Sequence, residues 1–89
     1  MENFIVFGKY CDDAIRKREE FRNQHLERLK LLKEKNILIT LGPTKCTRYL
    51  FGIFSAYSEI DVKNLIEKDI YWQKGIWISY KIYPWIKAF

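Results

Sequence analysis

The stretches that most constrain this chain are short and apolar on both sides. Asn3–Tyr10 reads Asn-Phe-Ile-Val-Phe-Gly-Lys-Tyr, and Arg48–Tyr57 reads Arg-Tyr-Leu-Phe-Gly-Ile-Phe-Ser-Ala-Tyr. Runs this brief, rich in β-branched and aromatic residues, predict strands. Side chains alternate across a strand, so Phe4 and Val6 face one way and Ile5 and Phe7 the other. Leu50 and Phe54 oppose Tyr49, Phe51 and Ile53 in the same manner. A sheet made of such strands needs an apolar cover on each face.

The rest of the chain supplies one cover. Cys11-Asp12-Asp13 offers an N-cap and first-turn acids for a helix from Asp13 to about Lys35, which Asn36 is suited to end. Ile37–Leu41 predicts a second strand, broken by a turn at Gly42-Pro43-Thr44-Lys45. Ser58-Glu59-Ile60-Asp61 has the form of a capping box and opens a second helix with Val62, Leu65 and Ile66 at core spacing, ending near Asp69. Ile70–Gly75 reads as a turn or a last irregular helical turn. Ile76–Tyr83 is the fourth strand, with Pro84 stopping it. The order β-α-β-β-α-β is that of a ferredoxin-like α+β fold: a four-stranded antiparallel sheet with both helices on one face. It forms a single domain over residues 1–89. The second sheet face stays bare and apolar, which predicts a homodimer closed sheet against sheet.

Composition narrows the function. With 48% hydrophobic residues the chain can bury a core. No apolar run approaches the ~20 residues of a membrane span, and the start has no signal-peptide form, so a cytoplasmic protein without a membrane partner is expected. Cys11 and Cys46, with one histidine to share, make no zinc set, and no metal or organic cofactor is called for. Cys11 reads as a small residue in a strand-to-helix turn rather than as a nucleophile. Of the net charge of +5, +4 lies between Arg16 and Lys35, where eight Lys/Arg interleave with four Glu. Pairs such as Arg16–Glu20 describe a solvated helix face and not a phosphate track. An RNA-binding module of RRM-like topology ranks last, because Arg48–Phe54 lacks the early glycine of that motif.

One helix carries an anomaly. At about 100° per residue, Ile15, Phe21, Leu26, Leu29 and Leu32 share an arc of roughly 140°, and Arg18, Arg22 and His25 fall inside it. Polar groups aimed at a core need a partner or a solvated pocket. Asp69 continues the apolar stripe of the second helix, at an end where the macrodipole disfavours a carboxylate. Counting 1.5 Å per residue along the two helices brings His25 and Asp69 level. A carboxylate on one imidazole nitrogen leaves the other free for chemistry, the arrangement of a general base. The plainer alternative is a hydrogen bond that only ties two helices. Arg18 and Arg22 would make an anion-attracting pocket beside the pair, or else reach solvent or pair with Asp69 themselves.

Arg18, then Arg22-Asn23-Gln24-His25-Leu26, Leu41-Gly42-Pro43, Asp69-Ile70-Tyr71, Gly75 and Pro84 together resemble the YciI-like (YCII-related) family over essentially the whole chain. Ile70 departs from the family pattern, which often has Pro there. The resemblance implies a ferredoxin-like protomer that dimerises as an α+β barrel, with His25 and Asp69 as the acid–base pair. It also implies Gly42 and Pro43 beside the pocket, with Tyr71 next to Asp69. The function expected is a small cytoplasmic enzyme acting on a small anionic or enolic molecule by lyase, isomerase or hydrolase chemistry. A non-catalytic ligand-binding or sensor domain is the alternative.

Overall fold

The computed structural model describes all 89 residues. The strands are β1 (Glu2–Tyr10), β2 (Leu38–Pro43), β3 (Tyr49–Ala56) and β4 (Trp77–Trp85), and the helices are α1 (Ala14–Lys17), α2 (Arg22–Glu34), α3 (Glu59–Glu67) and α4 (Ile70–Gln73). The sheet is antiparallel throughout, in the order β2-β3-β1-β4. This is the expected ferredoxin-like arrangement, and the helices cover one face. Phe4, Val6, Leu50 and Phe54 are buried beneath them with Val62, Ile66 and Leu38. On the other face Phe7, Phe51 and Tyr83 remain 42–50% exposed, and Phe7 stacks on Tyr49 across β1 and β3 with centroids 5.7 Å apart.

The long first helix is not continuous. Arg18 still bonds four residues back, to Ala14, but Phe21 bonds three back, to Arg18, so Glu19–Phe21 forms a 3₁₀ turn between α1 and α2. A tighter turn advances the chain by more than 100° per residue, and α1 is rotated out of phase with α2. Ile15, which a single helix would bury, is therefore 57% exposed, and Ala14 is buried in its place. The expected cap is also missing, since Asp13 sits at φ 57° and its side chain caps nothing. The two later termini follow expectation. Asn36 takes a left-handed conformation and Ile37 N–H reaches back to Leu32 O, closing α2. Ser58 accepts from Asp61 N–H at 3.3 Å to open α3.

Both prolines belong to strands: Pro43 is the last residue of β2, not part of a turn, and Pro84 is followed by one more residue of β4. Pro43 is paired with Leu50, and Pro84 with Phe4. Each belongs to β2 or β4, the two edge strands, where a missing N–H can face away from the sheet. Gly42 is likewise a strand residue opposite Phe51 and not part of a turn. Gly8 is required by packing, because a Cβ there would lie 2.6 Å from the Ser79 carbonyl oxygen. The pairing of β1 with β4 slips between Lys9 and Tyr10, which sets Tyr10 opposite Trp77. That bulge turns Trp77 into the core at 2% exposure.

Candidate functional site

Asp69 is the hub of the site. It caps the N-terminus of α4, accepting from Tyr71 N–H at 2.9 Å through Oδ1. Sequence reasoning had it at the C-terminal end of α3, against the helix dipole. The chain instead breaks at Lys68 and begins a new helix, so backbone N–H groups favour the carboxylate. Oδ1 also meets His25 Nδ1 at 2.7 Å, and Oδ2 accepts from Arg28 Nη1 at 3.2 Å. With side chains only 5% and 1% exposed, His25 and Asp69 form a buried pair between α2 and α4.

Arg28 was not singled out from the sequence. It lies one helical turn beyond His25, so it shares the face turned toward Asp69. Its Nη2 donates to Leu65 O at 2.8 Å, which fixes the guanidinium between α2 and α3. This is the cation that satisfies Asp69, and neither Arg18 nor Arg22 takes that place.

The imidazole is sandwiched. Tyr71 lies flat against it, with centroids 3.6 Å apart and planes 9° from parallel, and Trp77 meets it edge-on at 5.2 Å. With Asp69 accepting, the proton is assigned to Nδ1, which leaves Nε2 as the lone-pair nitrogen. Nε2 has no partner within the protein, and His25 lines a cavity of about 120 Å³. The other lining residues include Tyr10, Arg18, Arg22, Gly42, Pro43 and Tyr71. Every side chain expected to bind a ligand thus stands on one cavity, with Asp69 directly behind its histidine. Tyr10 and Trp77 are additions. Nothing in the sequence of the fourth strand marked Trp77, which is turned inward at the bulge in its pairing with β1.

The electrostatics of the cavity are one-sided. Two arginines line it and no acid does. Burial pushes the Tyr71 hydroxyl above its ordinary pKa, and the charges of Arg18 and Arg22 work against that rise. Burial raises Tyr10 as well, opposed by Trp77 and Arg18. Cys11 and Cys46 lie elsewhere, on a separate cavity of about 390 Å³. The exposed Cys46 thiol is held below its usual pKa chiefly by its hydrogen bond with Thr44. No group of three or more His, Cys, Asp or Glu side chains is placed to hold a metal ion, and no helix is long and apolar enough to cross a membrane.

Comparison with known proteins adds two findings. The model of the YCII-related domain matches residues 3–86. Among solved structures, the chain is similar to 5-chloro-2-hydroxyhydroquinone dehydrochlorinase from Burkholderia phenoliruptrix AC1100 in complex with 2,5-dihydroxybenzoquinone. That likeness has a TM-score of 0.83 at 22% identity and covers 97% of this chain and 95% of the other. No curated protein matches the sequence significantly.

Proposed function

The chain belongs to the YCII-related family, and on that premise we propose that it is a small acid–base enzyme in which His25, oriented by Asp69, moves a proton on an anionic or enolic ligand. The observation that carries this reading is the division of labour on the imidazole. Nδ1 is held by a buried carboxylate at 2.7 Å, while Nε2 is left without a protein partner beside a cavity. A histidine serving only to tie α2 to α4 would have no need of the arginine-lined cavity on its other side.

In the proposed chemistry, Nε2 takes a proton from a C–H or O–H of the ligand. Asp69 stabilises the imidazolium that forms, and the stacked Tyr71 ring keeps the imidazole plane fixed. Arg18 and Arg22 hold the oxygen on which negative charge collects, with Gly42 and Pro43 of β2 closing the rim. Returning the proton to another ligand atom completes an isomerisation, and returning it to a leaving group completes an elimination. The solved neighbour, an enzyme holding a dihydroxyquinone, supports a ligand of this enolic class. The open sheet face supports a homodimer that buries Phe7, Phe51 and Tyr83 against a second copy. Sedimentation at micromolar concentration should then give a dimer, and a monomer would remove that part of the proposal.

His25 is the only histidine, so its ring signals in NMR are unambiguous. Titration with 2,5-dihydroxybenzoquinone, and separately with acetate, should move them, and Asp69→Asn should abolish the response. A His25 signal indifferent to both ligands would sink the reading. Saturable binding without any proton exchange on the ligand would favour a sensor domain instead.

A further inference from the structure

Two side chains at the same site have no role in the chemistry above, Tyr10 on the cavity and Trp77 against His25, and two groups there are incomplete. The Trp77 indole N–H and the Arg18 Nε–H are both buried and have no hydrogen-bond acceptor. Buried donors left without acceptors are rare in native proteins, and neither group can act as an acceptor itself. Both stand beside the Tyr10 hydroxyl, whose ionisation each of them eases. Trp77 packs edge-on against Tyr10 at 6.5 Å and against His25 at 5.2 Å, so one indole spaces the two residues around a shared cavity.

We infer that Tyr10, Arg18 and Trp77 form an oxyanion-binding corner, in which the Tyr10 hydroxyl donates to the oxygen of a phenolate or enolate bound against His25. The inference rests on the pocket reading above and adds a donor and a ligand atom to it. Neither N–H comes within hydrogen-bonding geometry of the Tyr10 hydroxyl, so nothing in the protein fixes the direction of its proton. The open direction is the cavity, which Tyr10 and Arg18 both line. An oxygen anion placed there meets the Tyr10 O–H and the Arg18 guanidinium. The nearest buried acid, Asp69, is already engaged by His25, Arg28 and the Tyr71 N–H. The corner therefore favours the ionised over the neutral form of the ligand.

The probe is 4-nitrophenol, whose phenolate absorbs in the visible, with 4-nitroanisole as its non-ionisable counterpart. The wild type should bind the phenolate saturably at pH 8. Tyr10→Phe should weaken that binding about tenfold, the worth of one hydrogen bond to a charged group, and leave 4-nitroanisole unchanged. Trp77→Phe, which retains the hydroxyl, should weaken the phenolate by a smaller factor. Equal phenolate affinity in wild type and Tyr10→Phe overturns the inference, as does a wild type that does not bind the phenolate at all. Phenylalanine preserves the ring against Trp77, and an unchanged unfolding midpoint confirms that the fold is intact. His25 NMR shifts recorded on the same samples separate the two readings. A responsive His25 with an indifferent Tyr10→Phe removes only the corner, and a silent His25 with weakened binding removes only the acid–base step.

Discussion

The two polar walls of the cavity are built to opposite standards. Behind His25 each group has its partner: Asp69 receives three donors, and Arg28 has a carboxylate for one nitrogen and a backbone carbonyl for the other. Around Tyr10, by contrast, Arg18 Nε and Trp77 Nε1 are buried with nothing to donate to. A satisfied network stabilises and rigidifies, whereas unsatisfied donors cost stability and persist where something else is gained. The contrast suggests that one wall is made to hold a histidine still and the other to receive a ligand.

The sharpest way to break the comparison is to remove the hub. Asp69→Ala strands the Arg28 charge along with His25 Nδ1 and the Tyr71 N–H, and should cost about 3–5 kcal/mol in denaturant unfolding, the range for breaking a buried ion pair. A loss below ~1 kcal/mol would mean that the network behind His25 is slack. Arg28→Met is the milder test. It leaves Asp69 Oδ2 and the Leu65 carbonyl without their donor and should cost about 1–3 kcal/mol. Its guanidinium is partly exposed, which places the expectation toward the lower end.

Much of the satisfied wall was legible in the sequence, because it depends on spacing along regular helices. His25 stood out as a polar residue on an apolar arc, and the helix rise alone brought it level with Asp69. The fold order was legible for the same reason, since apolar periodicity distinguishes strands from helices. What could not be read were the irregular joints. The 3₁₀ turn at Glu19–Phe21 arises from a three-residue hydrogen bond that no residue type announces, and it changes which of Ala14 and Ile15 is buried. The bulge after Lys9 inverts Trp77, and Asp69 caps a new helix where the second helix seemed to end. Pro43 and Pro84 misled because a strand's position in the sheet, edge or centre, is a tertiary fact. The incomplete wall is assembled from these joints. Arg18 precedes the 3₁₀ turn, while Tyr10 and Trp77 face each other across the bulge.

Removing an unsatisfied group should behave differently from removing a satisfied one. Arg18→Met deletes a buried donor that has no acceptor and keeps most of the aliphatic stem, so stability should change by less than ~1 kcal/mol, in either direction. Anion binding should nevertheless fall. A loss as large as that of Arg28→Met would show that Arg18 has a structural partner and would erase the distinction between the walls.

Tyr80 offers the smallest effect and an outside reference for a completed bond. Its hydroxyl donates to Glu67 Oε2 at 2.5 Å, at the junction of β4 and α3. Burial and that carboxylate push its pKa up to about 12, from 10.0 for a free tyrosine. Between those values the unfolded chain has released this proton and the folded chain retains it, so the unfolded state binds fewer protons and stability falls as pH rises. Below pH 10 the contribution is fully present. Tyr80→Phe should therefore flatten the decline in unfolding free energy between about pH 10 and 12, while leaving ligand binding in the His25 cavity untouched. Tyr10→Phe should flatten it less, because the burial that raises the Tyr10 pKa is opposed by Trp77 and the Arg18 charge. If Tyr10→Phe flattened it and Tyr80→Phe did not, the buried proton most firmly held by the fold would belong to the ligand-binding wall, and that wall would no longer count as the incomplete one.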